Sequence, residues 1–189
     1  MGYKKIMVCI NGSGGTGKDS FVDFCKTVAY SQDIFVANLS TVDKVKKAGR
    51  ILGCTGKSEE DRKFLSDLKD LAKKYNNHSR TYIEEQIRYF HSSNTLNTII
   101  FVHAREPEEI AEFKKYFVEN GIVDDFLSVL VSNSNVKKID TNHADGNVNN
   151  YLYDYYIENN RELDELRDIA KVFVSYINSE FFTDHKGEC

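Results

Sequence analysis

Short apolar runs alternate with longer amphipathic stretches along the whole chain. The runs predict strands at about 4–10, 33–38, 97–103, 126–131 and 152–157. Between them, apolar residues recur at the spacing of a helix face. A helix is expected over about 20–30, and another over about 40–48 with Ser40 as its cap, interrupted by Gly49 and Gly53. Ser58 is expected to start a long charged helix whose Phe64, Leu65, Leu68 and Leu71 face the core. Ser79 is expected to cap the next, with Ile83, Ile87 and Phe90 inward. Pro107, the only proline, suits the first turn of a helix through Val118, where Glu108 and Glu109 favour the N-terminal end. The last helix, about 161–179, carries Leu163, Leu166, Ile169, Ala170 and Phe173 on one stripe. Strand and helix in alternation predict an α/β domain: a parallel sheet with helices on both faces.

No repeat, linker or low-complexity stretch divides the chain, so residues 1–189 read as a single domain, long enough to bury a substantial core. Acidic residues outnumber basic ones, 29 to 25, giving a net charge of −4. That balance argues against a surface for duplex nucleic acid, and no nucleic-acid polymer is expected as a partner. No apolar run approaches the ~20 residues of a membrane span, and no charged-then-apolar leader precedes the first strand. A cytoplasmic protein with no membrane partner is expected. Met1 and Gly2 invite N-myristoylation, but the motif needs Ser or Thr where the chain has Ile6. Cys9, Cys25, Cys54 and Cys189 lack C-x-x-C spacing and read as reduced, structural thiols.

Candidate chemistry concentrates directly after the first apolar run. Gly12, Ser13, Gly14, Gly15, Thr16, Gly17, Lys18, Asp19 and Ser20 sit between a predicted strand and a predicted helix, which is the context a phosphate-binding P-loop requires. Glycines allow backbone dihedrals that turn successive N–H groups toward an anion, and the helix directs its positive end to the same point. Lys18 can then reach the β- and γ-phosphates of a triphosphate. Gly12, Gly17 and Lys18 satisfy G-x-x-x-x-G-K, but Asp19 stands where Ser or Thr normally serves magnesium. Either Asp19 ligates the ion, directly or through water, or Ser20 takes that task. A second departure is His103, which ends the third predicted strand where P-loop enzymes often place an acidic residue that orients the metal. Magnesium prefers oxygen, so His103 reads as a hydrogen-bonded residue beside the site more readily than as a ligand or base. His78, His91 and His143 show no pairing that suggests zinc, and no N-K-x-D tetrapeptide for guanine occurs.

The one long irregular segment is 132–150, rich in Asn, Ser, Asp and Gly, with Lys137, Lys138, His143 and Asp145. Loops of that length in compact domains are functional or disordered. As a lid, the segment would bring Lys137 and Lys138 to the phosphates and exclude water; otherwise it is a solvated loop.

Three segments together resemble a known group. The GKDS form of the P-loop at 17–20, AREPEEI at 104–110, and YDYYIENN at 153–160 followed by Leu163 and Leu166 are similar to P-loop kinases of the nucleoside monophosphate kinase type. That group includes phage deoxynucleoside monophosphate kinases and animal-type phosphomevalonate kinases. The resemblance implies a three-layer P-loop fold with sheet order 2-3-1-4-5, ATP as donor, magnesium, and a small acceptor phosphorylated on an existing phosphate. It also implies acceptor contacts in a helical region at about 40–95, where Lys44 is the leading residue and Arg50, Arg62 and Lys69 could add to it. Lys18 is the expected catalytic cation on the donor. Arg105, just past the third strand's carboxyl end, either grips the acceptor phosphate or the transferring group, or forms a salt bridge with Glu108 or Glu109. The expected activity is phosphoryl transfer to a nucleoside or deoxynucleoside monophosphate. The alternatives are a kinase for another phosphorylated metabolite and a nucleotide-binding regulatory protein that transfers slowly.

Overall fold

The computed structural model describes residues 2–56, 58–136 and 148–183. Strand β1 (Lys5–Asn11) lies at the centre of a five-stranded sheet, in parallel with β3 (Asn97–His103) on one side and β4 (Asp125–Ser132) on the other. Val8 stands opposite Phe101 in β3 and Leu127 in β4. The edges are β2 (Ile34–Ser40), beside β3, and β5 (Tyr155–Glu158), parallel to β4, giving the order β2-β3-β1-β4-β5. This is the parallel sheet of a P-loop fold, with helices on both faces. Residues Ile6 to Ile10 are at most 1% exposed, so β1 is covered on both sides and needs apolar residues at every position instead of alternate ones.

Helix α1 (Lys18–Tyr30) buries Phe21, Val22, Cys25 and Ala29. It packs with the helix Leu163–Ile177, whose Leu166, Ala170, Phe173, Val174 and Ile177 join the same core as Ile6, Val8, Ile10, Phe101 and Val129. The Phe21 ring sits edge-on to Phe173 at 5.5 Å and to Phe101 at 6.3 Å. On the other face α5 (Pro107–Glu119) buries Ile110, Phe113 and Phe117, and Lys114 lies over the ring of Phe126 in β4. Numbered in chain order, α2 (Asp43–Ile51), α3 (Glu59–Asn76) and α4 (His78–Ser93) precede α5, and Leu163–Ile177 is α6. The chain divides into two compact units: Leu39–Ser93, with α2 to α4, and the remainder, with the sheet.

Several expectations shift. Helix α2 starts at Asp43, not at Ser40, since Ser40 still belongs to β2; the Asp43 carboxylate reaches back and accepts from the Ser40 N–H at 2.9 Å. Ser58 does cap α3, accepting from the Asp61 N–H at 3.0 Å. The stripe behind it is not core, however: no α3 residue is buried, and Phe64 and Leu71 are 40% and 65% exposed. A 55-residue unit of helices has too little mass to cover a full stripe on each, and of the four only Leu65, set against Gly49, and Leu68 are half-buried. Asn77, left-handed at φ 49°, ends α3, and α4 begins at the next residue, so Ser79 lies inside the first turn and is 3% exposed instead of capping. Ile83 and Ile87 face inward as expected, whereas Leu163, first in α6, is 60% exposed. Strand β5 begins at Tyr155, three residues later than its apolar run.

Cys9, Cys25 and Cys54 are buried free thiols. Burial holds the Cys9 thiol above its ordinary range, with Glu109 adding to the effect, and burial does the same to Cys25; both are inert packing residues. No helix among the described residues is long and apolar enough to cross a membrane. Lys137, Lys138, His143, Asp145 and Cys189 lie outside the described residues.

Because Phe21 is fully buried between two other rings, Phe21→Ala should destabilise the protein by about 3–5 kcal/mol. Denaturant unfolding measures it. A loss below about 1 kcal/mol would mean this face is not the central core.

Candidate functional site

The site is built where β1 turns into α1. Asn11, the last residue of β1, accepts from the Gly12 N–H through Oδ1 at 2.7 Å. Gly12 has φ +141°, and the carbonyl of Val131 in β4 occupies the space a Cβ would need, so two constraints require glycine there. Thr16, 4% exposed, donates through its hydroxyl to the Ser13 carbonyl at 3.0 Å and closes the loop. Gly17 precedes α1 with φ +93°, and a Cβ on it would overlap the side chain of Asn159, just past β5. Asn159 uses Nδ2 to donate to the Thr16 carbonyl at 3.0 Å. Lys18 folds back over the loop, its Nζ 2.6 Å from the carbonyls of both Gly12 and Ser13. The loop therefore carries an ammonium group at the positive end of α1, the electrostatics of an anion cradle.

Buried hydrogen bonds fasten the loop to its surroundings. The Asn11 Nδ2 donates to the Arg105 carbonyl at 3.0 Å and to the Tyr153 hydroxyl at 2.7 Å; the Tyr153 hydroxyl in turn donates to the Val148 carbonyl at 2.9 Å. Burial pushes the Tyr153 phenol up to about 12, partly offset by its bond to Asn11, so it remains a protonated donor at neutral pH. Beyond β4, the Ser134 N–H donates to Asn160 Oδ1 at 2.7 Å, and Asn135 Nδ2 donates to the Asn160 carbonyl at 3.2 Å. The chain leaving β4 is thus tied to the segment that also holds Gly17 in place.

Asp19 and Ser20 lie in the first turn of α1, and the Asp19 side chain is 89% exposed. His103 ends β3, with Nε2 2.9 Å from Asn38 Oδ1 and 3.7 Å from Asp19 Oδ1. Among the described residues no group of three or more His, Cys, Asp and Glu could hold a metal ion. One carboxylate and one hydroxyl beside a phosphate cradle suit magnesium, which takes oxygen ligands, keeps several waters and is completed by substrate phosphates. Asp19 and Ser20 fit that ion.

Arg105 follows β3 and is exposed, and its backbone carbonyl is held by Asn11. The structure thus brings 12–20 and Arg105 to the same end of the sheet. Lys44, Arg50, Arg62 and Lys69 belong to the helical unit. There Lys44 is ion-paired with Glu85 at 2.7 Å and lies 5.1 Å above the Tyr82 ring, while Arg50 and Arg62 are exposed. Burial and the Lys44 charge lower the His78 pKa in the same cluster, with Glu85 opposing. Sequence reasoning had not singled out Asn11 or Asn38 as site residues, and it had used Tyr153 and Asn159 only as parts of a resemblance. The signal was available: Asn11 and Asn38 are polar residues at or near the ends of apolar runs, at the end of a parallel strand where ligands bind.

Gly17→Ala should destabilise by about 1–3 kcal/mol, since it forces a side chain into the left-handed region and displaces Asn159. Asn159→Ala removes the same hydrogen bond by another route. The double variant should therefore be less unstable than the two single effects added, by about 0.5–3 kcal/mol in denaturant unfolding. Strict additivity would show that Gly17 and Asn159 do not meet.

No family model and no curated sequence matches the chain. Solved structures do. The APS kinase CysC of Mycobacterium tuberculosis, in complex with AMPPNP and APS, aligns at 15% identity with a TM-score of 0.52 over 92% of this chain and 99% of that one. The protein APE1195 aligns at 11% identity with a TM-score of 0.54 over 92% and 97%. At these identities the likeness establishes the fold that the sheet order and the loop already display.

Proposed function

We propose that the protein is an ATP-dependent small-molecule kinase that phosphorylates a nucleoside or deoxynucleoside monophosphate. The observation that carries this reading is the loop itself: Lys18 Nζ gathered onto the Gly12 and Ser13 carbonyls at 2.6 Å, at the N-terminal end of α1 and the carboxyl end of a parallel sheet. A solved relative in fold was captured with AMPPNP, a triphosphate analogue, which supports ATP as donor.

In the proposed reaction an oxygen of the acceptor's phosphate attacks the γ-phosphorus, the bond from that phosphorus to the β–γ bridging oxygen breaks, and ADP leaves. The acceptor oxygen is already ionised, so no general base is required, in keeping with His103 as a hydrogen-bonded residue. Catalysis of this type rests on in-line positioning and on cations around the transferring group. Lys18 serves the donor phosphates with the backbone of 12–17. Arg105 serves the acceptor or the transferring group with a two-pronged guanidinium. Magnesium, held by Asp19 or Ser20, would supply charge neutralisation at the β- and γ-oxygens. Lys44, Arg50, Arg62 and Lys69 are the cations we assign to the acceptor, and Lys137 and Lys138 to the phosphates.

A screen of ADP release over nucleoside monophosphates, their deoxy forms and other phosphorylated metabolites, with AMPPNP binding measured in parallel, tests the reading. Acceptor-stimulated release with a monophosphate is the expected result. Release with a different metabolite would move the acceptor class, and tight binding without turnover would favour a regulatory nucleotide-binding protein. Lys18→Ala should lower turnover on the order of 10²–10³-fold, because a preorganised charge at the developing diphosphate is lost. Near-normal transfer by this variant would remove the kinase assignment.

Arg105→Lys retains the charge and loses the fork, so acceptor KM should rise while AMPPNP affinity holds. Calorimetry with each ligand separates the two. Collapse of AMPPNP affinity with acceptor binding intact would put Arg105 on the donor side.

A further inference from the structure

The two departures from the P-loop pattern, Asp19 and His103, face each other. In the sheet β3 is the neighbour of β1, with His103 opposite Ile10, so the end of β3 lies one strand away from the loop and from the first turn of α1. The His103 side chain is 17% exposed, and its Nε2 lies 2.9 Å from Asn38 Oδ1 at the end of β2 and 3.7 Å from Asp19 Oδ1. Both neighbours present oxygen, so Nε2 carries the proton and donates. Asn38 takes that N–H and fixes the ring, and the ring edge stands 3.7 Å from one carboxylate oxygen of Asp19, an electrostatic contact and not a hydrogen bond.

Charge explains why the departures occur together. With a carboxylate at 19, an acid at the end of β3 would put two like charges within about 4 Å, and one would be driven to take up a proton. An imidazole N–H there attracts the carboxylate instead. An imidazole is itself a poor ligand for magnesium, so its contribution is made through Asp19.

We propose that His103, aligned by Asn38, is a positioning residue for the metal: the electropositive edge of its ring, 3.7 Å from Asp19 Oδ1, draws the carboxylate to its side and so orients it as the ligand. In this chain the carboxylate stands in the first turn of the helix and an imidazole stands at the strand end. This inference rests on the nucleotide-binding reading of the loop.

The test compares the wild type with Asp19→Asn, His103→Ala and His103→Gln, each verified as folded by its unfolding transition. Mn²⁺ affinity is read by electron paramagnetic resonance in the presence of AMPPNP, and AMPPNP affinity is read separately in EDTA. Asp19→Asn and His103→Ala should each weaken Mn²⁺ binding by about 10–100-fold, with metal-free AMPPNP affinity unchanged. His103→Gln, which keeps a polar N–H group at the end of the strand, should recover most of the loss. Wild-type Mn²⁺ affinity in either Asp19→Asn or His103→Ala would overturn the inference while leaving nucleotide binding intact. A parallel fall in metal-free AMPPNP affinity would also overturn it, since His103 would then be shaping the loop and not the metal. A wild type that binds no AMPPNP under either condition would instead remove the nucleotide-binding reading itself.

Discussion

The glycine loop has no room for a Cβ at its two ends, Gly12 and Gly17, and much of the site follows from that. Where Cβ atoms on residues 12 and 17 would stand, the structure has the Val131 carbonyl and the Asn159 side chain. Glycine-rich chain is the most costly to order, because it surrenders the most conformational freedom. Here the ends of β4 and β5 set its path from outside, and hydrogen bonds from Asn11 and Asn159 fasten it at both ends. A cradle held by its neighbours needs little rearrangement when an anion arrives, which is what preorganised electrostatic catalysis requires.

The sheet was legible because β1, β3 and β4 are covered on both faces and spell themselves out as unbroken apolar runs. Helix α3 was legible as a helix and misread as core. Its i, i+3, i+4 spacing is real, but spacing reports which side chains share a face and not whether enough protein lies opposite to cover it. Ser40 and Ser79 show a related limit. Serine is favoured at caps, yet at one site α2 starts three residues later with no side-chain cap, and at the other the left-handed Asn77 joins two helices so closely that no separate cap is needed. Ser58 caps as its sequence implies.

Of the site, the loop and Lys18 were legible because their chemistry is contiguous in sequence. What escaped was assembled by the sheet. Asn11 meets Arg105 and Tyr153 only because β3 and β4 flank β1 and because the chain before β5 crosses the end of that group. Their contacts are separated by some ninety residues or more in sequence, so no linear motif records them. Composition hides the site in the same way: a chain with net charge −4 still concentrates an ammonium and a helix N-terminus at one point, and only that local field acts on a bound phosphate.

Phosphoryl transfer tolerates such rearrangement because it asks for charges at positions and little covalent chemistry. Linear motifs record those charges by their slot in the sequence, so an acid missing from a strand end reads as a lost function. In the folded sheet the slot after Lys18 and the slot at the end of β3 are neighbours, brought within 3.7 Å by the pairing of Ile10 with His103. A carboxylate in one slot is therefore felt by whatever group stands in the other. On the proposal above, the departures at Asp19 and His103 are weighed together, because the fold makes them neighbours.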